Sequence, residues 1–171
     1  MPLPLMPVGT AAVPDLPHGR TAMRLSWKFL PREIRELVEA HLGGPVVEAV
    51  SQDAGFTPGF ASVLTSASGE RLFVKAASRV AQADFAASYA EEARKLQILD
   101  GTVPAPRLEW VHDDDGWVVL GLEAVDARTP QRPWRPDELD RTLDLAEAIA
   151  RETRHVPDGL GLRPVADDTA S

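Results

Sequence analysis

A chain of 171 residues suits one domain with a real core, or one lobe of a two-lobe protein, and is crowded for two complete domains. Its apolar share of 44% and charged share of 26% are those of a globular protein rather than a disordered or membrane-embedded one. Eighteen Lys and Arg against 26 Asp and Glu leave a net charge of -8 with no basic stripe, which argues against DNA or RNA as a partner, and the absence of cysteine removes disulfides, Cys-type zinc sites and thiol nucleophiles.

Residues 1–30 are broken by proline and glycine and show no period, so they read as an extended arm. Neither a basic apolar leader nor a run of about 20 apolar residues is present, so a cytoplasmic location and no membrane contact are expected. A short amphipathic helix follows over 31–42: Pro31 suits a first turn, Ile34, Leu37, Val38 and Leu42 share one side, and Gly43-Gly44-Pro45 ends it.

Strand patterns then run over Val46 to Val50, Ala61 to Ala67 and Arg71 to Ala76. Connections too short for crossover helices make these an antiparallel meander, with one long loop from Asp53 to Gly59. Residues 83–99 read as a helix that opens near Asp84 and stops at Asp100-Gly101. Arg107 to His112 and Trp117 to Leu122 flank Asp113-Asp114-Asp115-Gly116, which has the turn chemistry of a hairpin. A proline-bearing linker over 126–135 leads to a helix that starts at Pro136-Asp137-Glu138 and carries Leu139, Leu143, Ala146 and Ile149. The segment 157–171 has no core pattern.

Two charged residues break the apolar pattern. Lys75 lies in Leu72-Phe73-Val74-Lys75-Ala76, on a strand otherwise fit for a sheet interior, and a buried ammonium needs an anion. On the following helix, Phe85, Tyr89, Leu96 and Leu99 share a narrow side with Glu92 in its middle, while Glu91 points away. A strand lysine facing a helix glutamate contributes little to stability, but holds an ammonium ready for a phosphate. The alternative is an edge lysine whose head snorkels to solvent. The loop Gly55-Phe56-Thr57-Pro58-Gly59 could close over phosphates because glycine permits close backbone approach and Thr57 adds a hydroxyl; alternatively it is only a turn.

In order, the glycine-bearing loop, Phe73-Val74-Lys75, Glu92, Val103-Pro104-Ala105-Pro106 and Leu120-Gly121-Leu122-Glu123 resemble the N-terminal lobe of aminoglycoside phosphotransferases, relatives of protein kinases. The resemblance spans about residues 31–155 and resides in the ordered set. It implies an α+β, protein-kinase-like N-lobe: a five-stranded antiparallel sheet with a packed αC-type helix, a preceding short helix and a following linker helix. The corresponding divisions are an arm at 1–30, the lobe at 31–123, a hinge and linker helix at 124–156, and a loose tail at 157–171 where a second lobe would begin.

The resemblance further implies that ATP is the ligand. Lys75 would meet its phosphates, Glu92 would position Lys75, and Gly55, Thr57 and Gly59 would belong to the nucleotide loop. The backbone of Glu123 and Val125 would hold the adenine edge. Magnesium and a small-molecule hydroxyl substrate are expected only in a full-length form, because relatives carry a His-x-Asp-x-x-x-x-Asn loop and a later metal-binding Asp in a second lobe. Here His112-Asp113-Asp114 mimics the start of that loop, but position 119 is Val, and the triplet lies on a hairpin turn. Catalytic and metal-binding residues are therefore expected to be absent, nucleotide affinity to be about millimolar (about 4 kcal/mol), and the open lobe face to favour self-association. A non-catalytic interaction or regulatory module is the other expectation.

Overall fold

Alternating apolar residues on short segments produce five strands, and a 17-residue insertion of helical character separates the third from the last two. The computed structural model describes residues 24–52, 58–128, 130–131, 133–155 and 157–162. In chain order these form helix α1 (Arg32–Leu42), strands β1 (Val46–Ser51), β2 (Phe60–Ser66) and β3 (Arg71–Ser78), helix α2 (Ala83–Leu99), strands β4 (Leu108–Asp113) and β5 (Trp117–Glu123), and helix α3 (Pro136–Glu152).

The strands make one antiparallel sheet in the order β1-β2-β3-β5-β4. The α+β class and the five-stranded sheet agree with the sequence reading. Boundaries move by one or two residues: β2 begins at Phe60, β3 continues to Ser78, and β4 begins at Leu108. Pro31 lies just outside α1 rather than in its first turn. Its ψ of 150° is extended while its carbonyl already accepts the Arg35 N–H at 3.1 Å, which makes it the cap.

Each face of the sheet has its own core. One face buries Phe60, Leu64, Val74, Ala76 and Val119 against Ile34, Val38 and Leu42 of α1 and against Leu30. Part of the expected arm is thus built in, with Leu30 buried and Trp27 tilted on Phe60 at 6.0 Å; residues 1–23 lie outside the described residues. On the same face Trp110 stacks on His41 at 4.2 Å. A Cβ at Gly121 would overlap the indole ring, so only glycine lets Trp110 lie down on β5.

The opposite face buries Ala77, Val118, Leu120 and Leu122 against Ala86, Tyr89 and Ala93 of α2. The buried arc of α2 is therefore not centred on Glu92 as expected. Alanine at 86 and 93 lets the helix backbone approach the sheet, which turns Glu92 to the border of the contact. A carboxylate at that border keeps part of its hydration.

The linker folds back on the first turn of α3. Glu138, buried, accepts the Gln131 N–H at 2.8 Å and pairs with Arg128. The Gln131 hydrogen bond, with help from Arg128, holds its carboxyl below the usual range. Apart from Glu138, α3 buries none of its residues among those described. No described helix is long and apolar enough to cross a membrane.

Candidate functional site: a lysine–glutamate bridge beside an apolar row

Lys75 occupies the middle of β3, paired with Ala61 of β2 on one side and Leu120 of β5 on the other. Strand alternation places it on the α2 face with Phe73 and Ala77. Its Nζ donates to both carboxylate oxygens of Glu92, at 2.7 and 2.8 Å. Side-chain exposures of 22% for Lys75 and 33% for Glu92 leave the pair partly solvated. The ammonium also lies 5.8 Å from the Phe73 ring centre and 5.6 Å from that of Tyr89, within cation–π reach.

A pair this exposed contributes about 0–1 kcal/mol, so two long side chains are held in one geometry for small thermodynamic return. What the arrangement can do is present a fixed positive charge at the border between covered and uncovered sheet. Helix α2 packs chiefly on β3, β5 and β4, and on this face among the described residues Val50 of β1 is exposed and Val63 of β2 half-buried.

There the register aligns a cross-strand row: Val50 opposite Val63, Val63 opposite Phe73, and Phe73 opposite Leu122. Val50 is 47% exposed, Val63 and Phe73 are half-buried, and Leu122 is buried beneath α2. Sequence reasoning missed this row. Only its Val63–Phe73 step was legible, because the short turn at Ser68-Gly69 fixes that register; the pairings of Val50 with Val63 and of Phe73 with Leu122 cross a long loop and helix α2.

Among the other expected site residues, Gly55 and Thr57 lie outside the described residues. Gly59 is buried, and its carbonyl accepts Arg24 Nη1 at 3.2 Å. A Cβ there would come within 2.8 Å of the Tyr89 hydroxyl and 3.3 Å of the Ala76 carbonyl, so close packing on α2 already accounts for glycine at this position. Tyr89 Oη is buried without a hydrogen-bond partner among the described residues. Glu123 closes β5, its N–H bonded to the Arg107 carbonyl at 2.9 Å and its carboxylate 3.5 Å from the Arg107 guanidinium. Val125 follows in extended chain, 53% exposed, and its carbonyl accepts the Ala127 N–H.

His112 and Asp114 are a turn pair rather than a catalytic loop. Asp114 Oδ1 accepts the N–H groups of Trp117 and Gly116 at 2.7 and 2.8 Å, while His112 Nε2 lies 3.0 Å from Oδ2. The Trp117 hydrogen bond, then that of Gly116, holds this carboxyl below the usual range. Among the described residues no three His, Cys, Asp or Glu converge as metal ligands.

Fold and site together define an α+β sheet-and-helix unit with a charged pair bridging strand and helix. Comparison with protein-family models finds no match, and comparison with curated proteins finds none. Among solved structures, one match is a protein from Haemophilus somnus 129PT provisionally described as a fructosamine-3-kinase, 13% identical at a TM-score of 0.49. The match covers 72% of this chain and 38% of that one, so the chain spans well under half the length of that protein.

Proposed function

We propose that the chain is the ATP-binding portion of a small-molecule kinase related to the aminoglycoside phosphotransferases, with Lys75 as the phosphate ligand. The observation that carries this reading is the two-oxygen bridge from Glu92 to Lys75, at 2.7 and 2.8 Å, beside the half-open row of Val50, Val63 and Phe73. The row offers an apolar seat for a planar ring, the bridge a charge for phosphates, and the extended backbone at Glu123 to Val125 polar groups for a ring edge. Gly55, Thr57 and Gly59 are assigned to the loop that would meet the phosphates.

ATP would supply a transferable γ-phosphoryl group. The residues here would bind and orient it; transfer to a hydroxyl substrate needs a positioned carboxylate and magnesium ligands. The sequence contains no asparagine at all, so the His-x-Asp-x-x-x-x-Asn loop is not among these residues, and magnesium and the hydroxyl substrate are assigned to a full-length form acting in the cytoplasm.

Calorimetry with Mg-ATP tests the reading. Binding near millimolar is expected, abolished by Lys75→Ala; unchanged affinity in that variant removes the assigned role, and micromolar affinity in the parent chain removes the half-site picture. A second reading, a non-catalytic interaction module, is favoured by the exposure of Leu139, Leu143, Leu145 and Ile149 on α3. A folded chain with no nucleotide affinity would support it.

A further inference from the structure

Helix α2 is held from two sides. One side offers Glu92 to Lys75. The other offers Arg94, whose guanidinium serves three partners: Nε and Nη2 each lie 2.7 Å from the Glu91 carboxylate, Nη2 also donates to the Leu160 carbonyl at 2.8 Å, and Nη1 donates to the Gly159 carbonyl. Residues 157–162, which show no core pattern in sequence, thereby reach across from the end of α3 to α2. Leu160 is only 5% exposed, and Gly159, at φ +87°, turns the chain beside Ile98.

The geometry suits a clasp. Backbone carbonyls outside regular structure need donors, and a guanidinium presents five in one rigid plane, enough for a carboxylate and two carbonyls together. Arg94 lies two residues past Glu92, about 200° around a helix of 3.6 residues per turn, so the two anchors grip opposite sides. The inner contacts of α2 include Ala86 and Ala93, which interlock little with the sheet. Rotating Glu92 away from Lys75 would pull Arg94 away from the hook.

We propose that the hook at Gly159 and Leu160, captured by Arg94, positions the Lys75–Glu92 bridge. With the hook seated, α2 holds its carboxylate against the ammonium; with the hook released, α2 swings and the phosphate site loses its fixed charge. Arg94 is a positioning residue that acts through Glu92, and this inference rests on the nucleotide-binding reading.

The test uses the full chain, Mg-ATP calorimetry and hydrogen exchange of the α2 amides. Arg94→Ala should weaken Mg-ATP by about fivefold, the low end of measured couplings between sites, and Leu160→Ala should act in the same direction. Both should speed exchange between Tyr89 and Lys95. In a Glu92→Gln background, Arg94→Ala should change affinity no further, whereas a merely structural role would weaken binding equally in both backgrounds. Equal losses, or unchanged affinity and exchange in both hook variants, overturn the inference. If the parent chain binds no Mg-ATP, the nucleotide reading falls and exchange alone decides: faster exchange around Glu92 in Leu160→Ala keeps the clasp, and unchanged exchange ends it.

Discussion

The sheet face under α1 and the face under α2 use the same five strands to different ends. Under α1, Leu64, Val74, Ala76 and Val119 meet Ile34 and Val38 in an apolar layer. Under α2, the layer of Ala77, Val118, Leu120 and Leu122 gives way at its margin to an ammonium, a carboxylate and the half-buried to exposed side chains of Phe73, Val63 and Val50. The first arrangement is what burial alone would select. The second carries a charge pair that stability does not require, and that is where a ligand is to be sought.

Substitutions can break this comparison or sharpen it. The largest effect belongs to the sealed face: Leu64→Ala, at a residue with no exposed surface, should cost about 2–5 kcal/mol in urea unfolding through lost burial and a cavity. A cost below about 1 kcal/mol would show that this layer is not the structural core. Gly121→Ala should cost about 1–3 kcal/mol, because the added methyl must displace Trp110, and indole emission should shift with it.

Acid should act more gently, on the outer side of α2. The Arg94 hydrogen bond, reinforced by Lys95, lowers the Glu91 pKa to about 2 from its ordinary 4.5. A depressed carboxyl stabilises the fold fully above about pH 4.5 and loses that contribution as pH falls toward 2. Melting temperature should decline across that window, and Glu91→Gln should flatten the decline. The smallest effect is expected at the bridge itself: Lys75→Met should change unfolding free energy by no more than about 1 kcal/mol while removing nucleotide binding. A large loss of stability there would make the pair structural.

Much of the framework was legible because it depends on local rules. Turn residues such as Ser68-Gly69 and Asp113 to Gly116 set off the strands, and helical spacing set off α1 and α2 within a residue. The meeting of Lys75 with Glu92 was legible too, since a strand and the next helix must pack and each carried one misplaced charge. The precise face of α2 was not, because Ala86 and Ala93 signal burial only weakly in sequence yet decide how closely a helix can lie. The hook at Leu160 was hidden for another reason. One apolar residue between two glycines has no period, and its partner Arg94 is more than 60 residues away.

The pairing of β3 with β5 has a kinetic consequence. Every other neighbouring pair in the sheet is consecutive in sequence, whereas this ladder, from Leu72 with Glu123 to Ser78 with Trp117, joins segments separated by α2 and β4. Two locally formed pieces must therefore zip together along the strand that bears Lys75, after a long loop has closed. Because α2 rests on both sides of that seam, its docking awaits closure, and the slow step of refolding followed by tryptophan fluorescence should mark the moment at which Lys75 and Glu92 are first brought together.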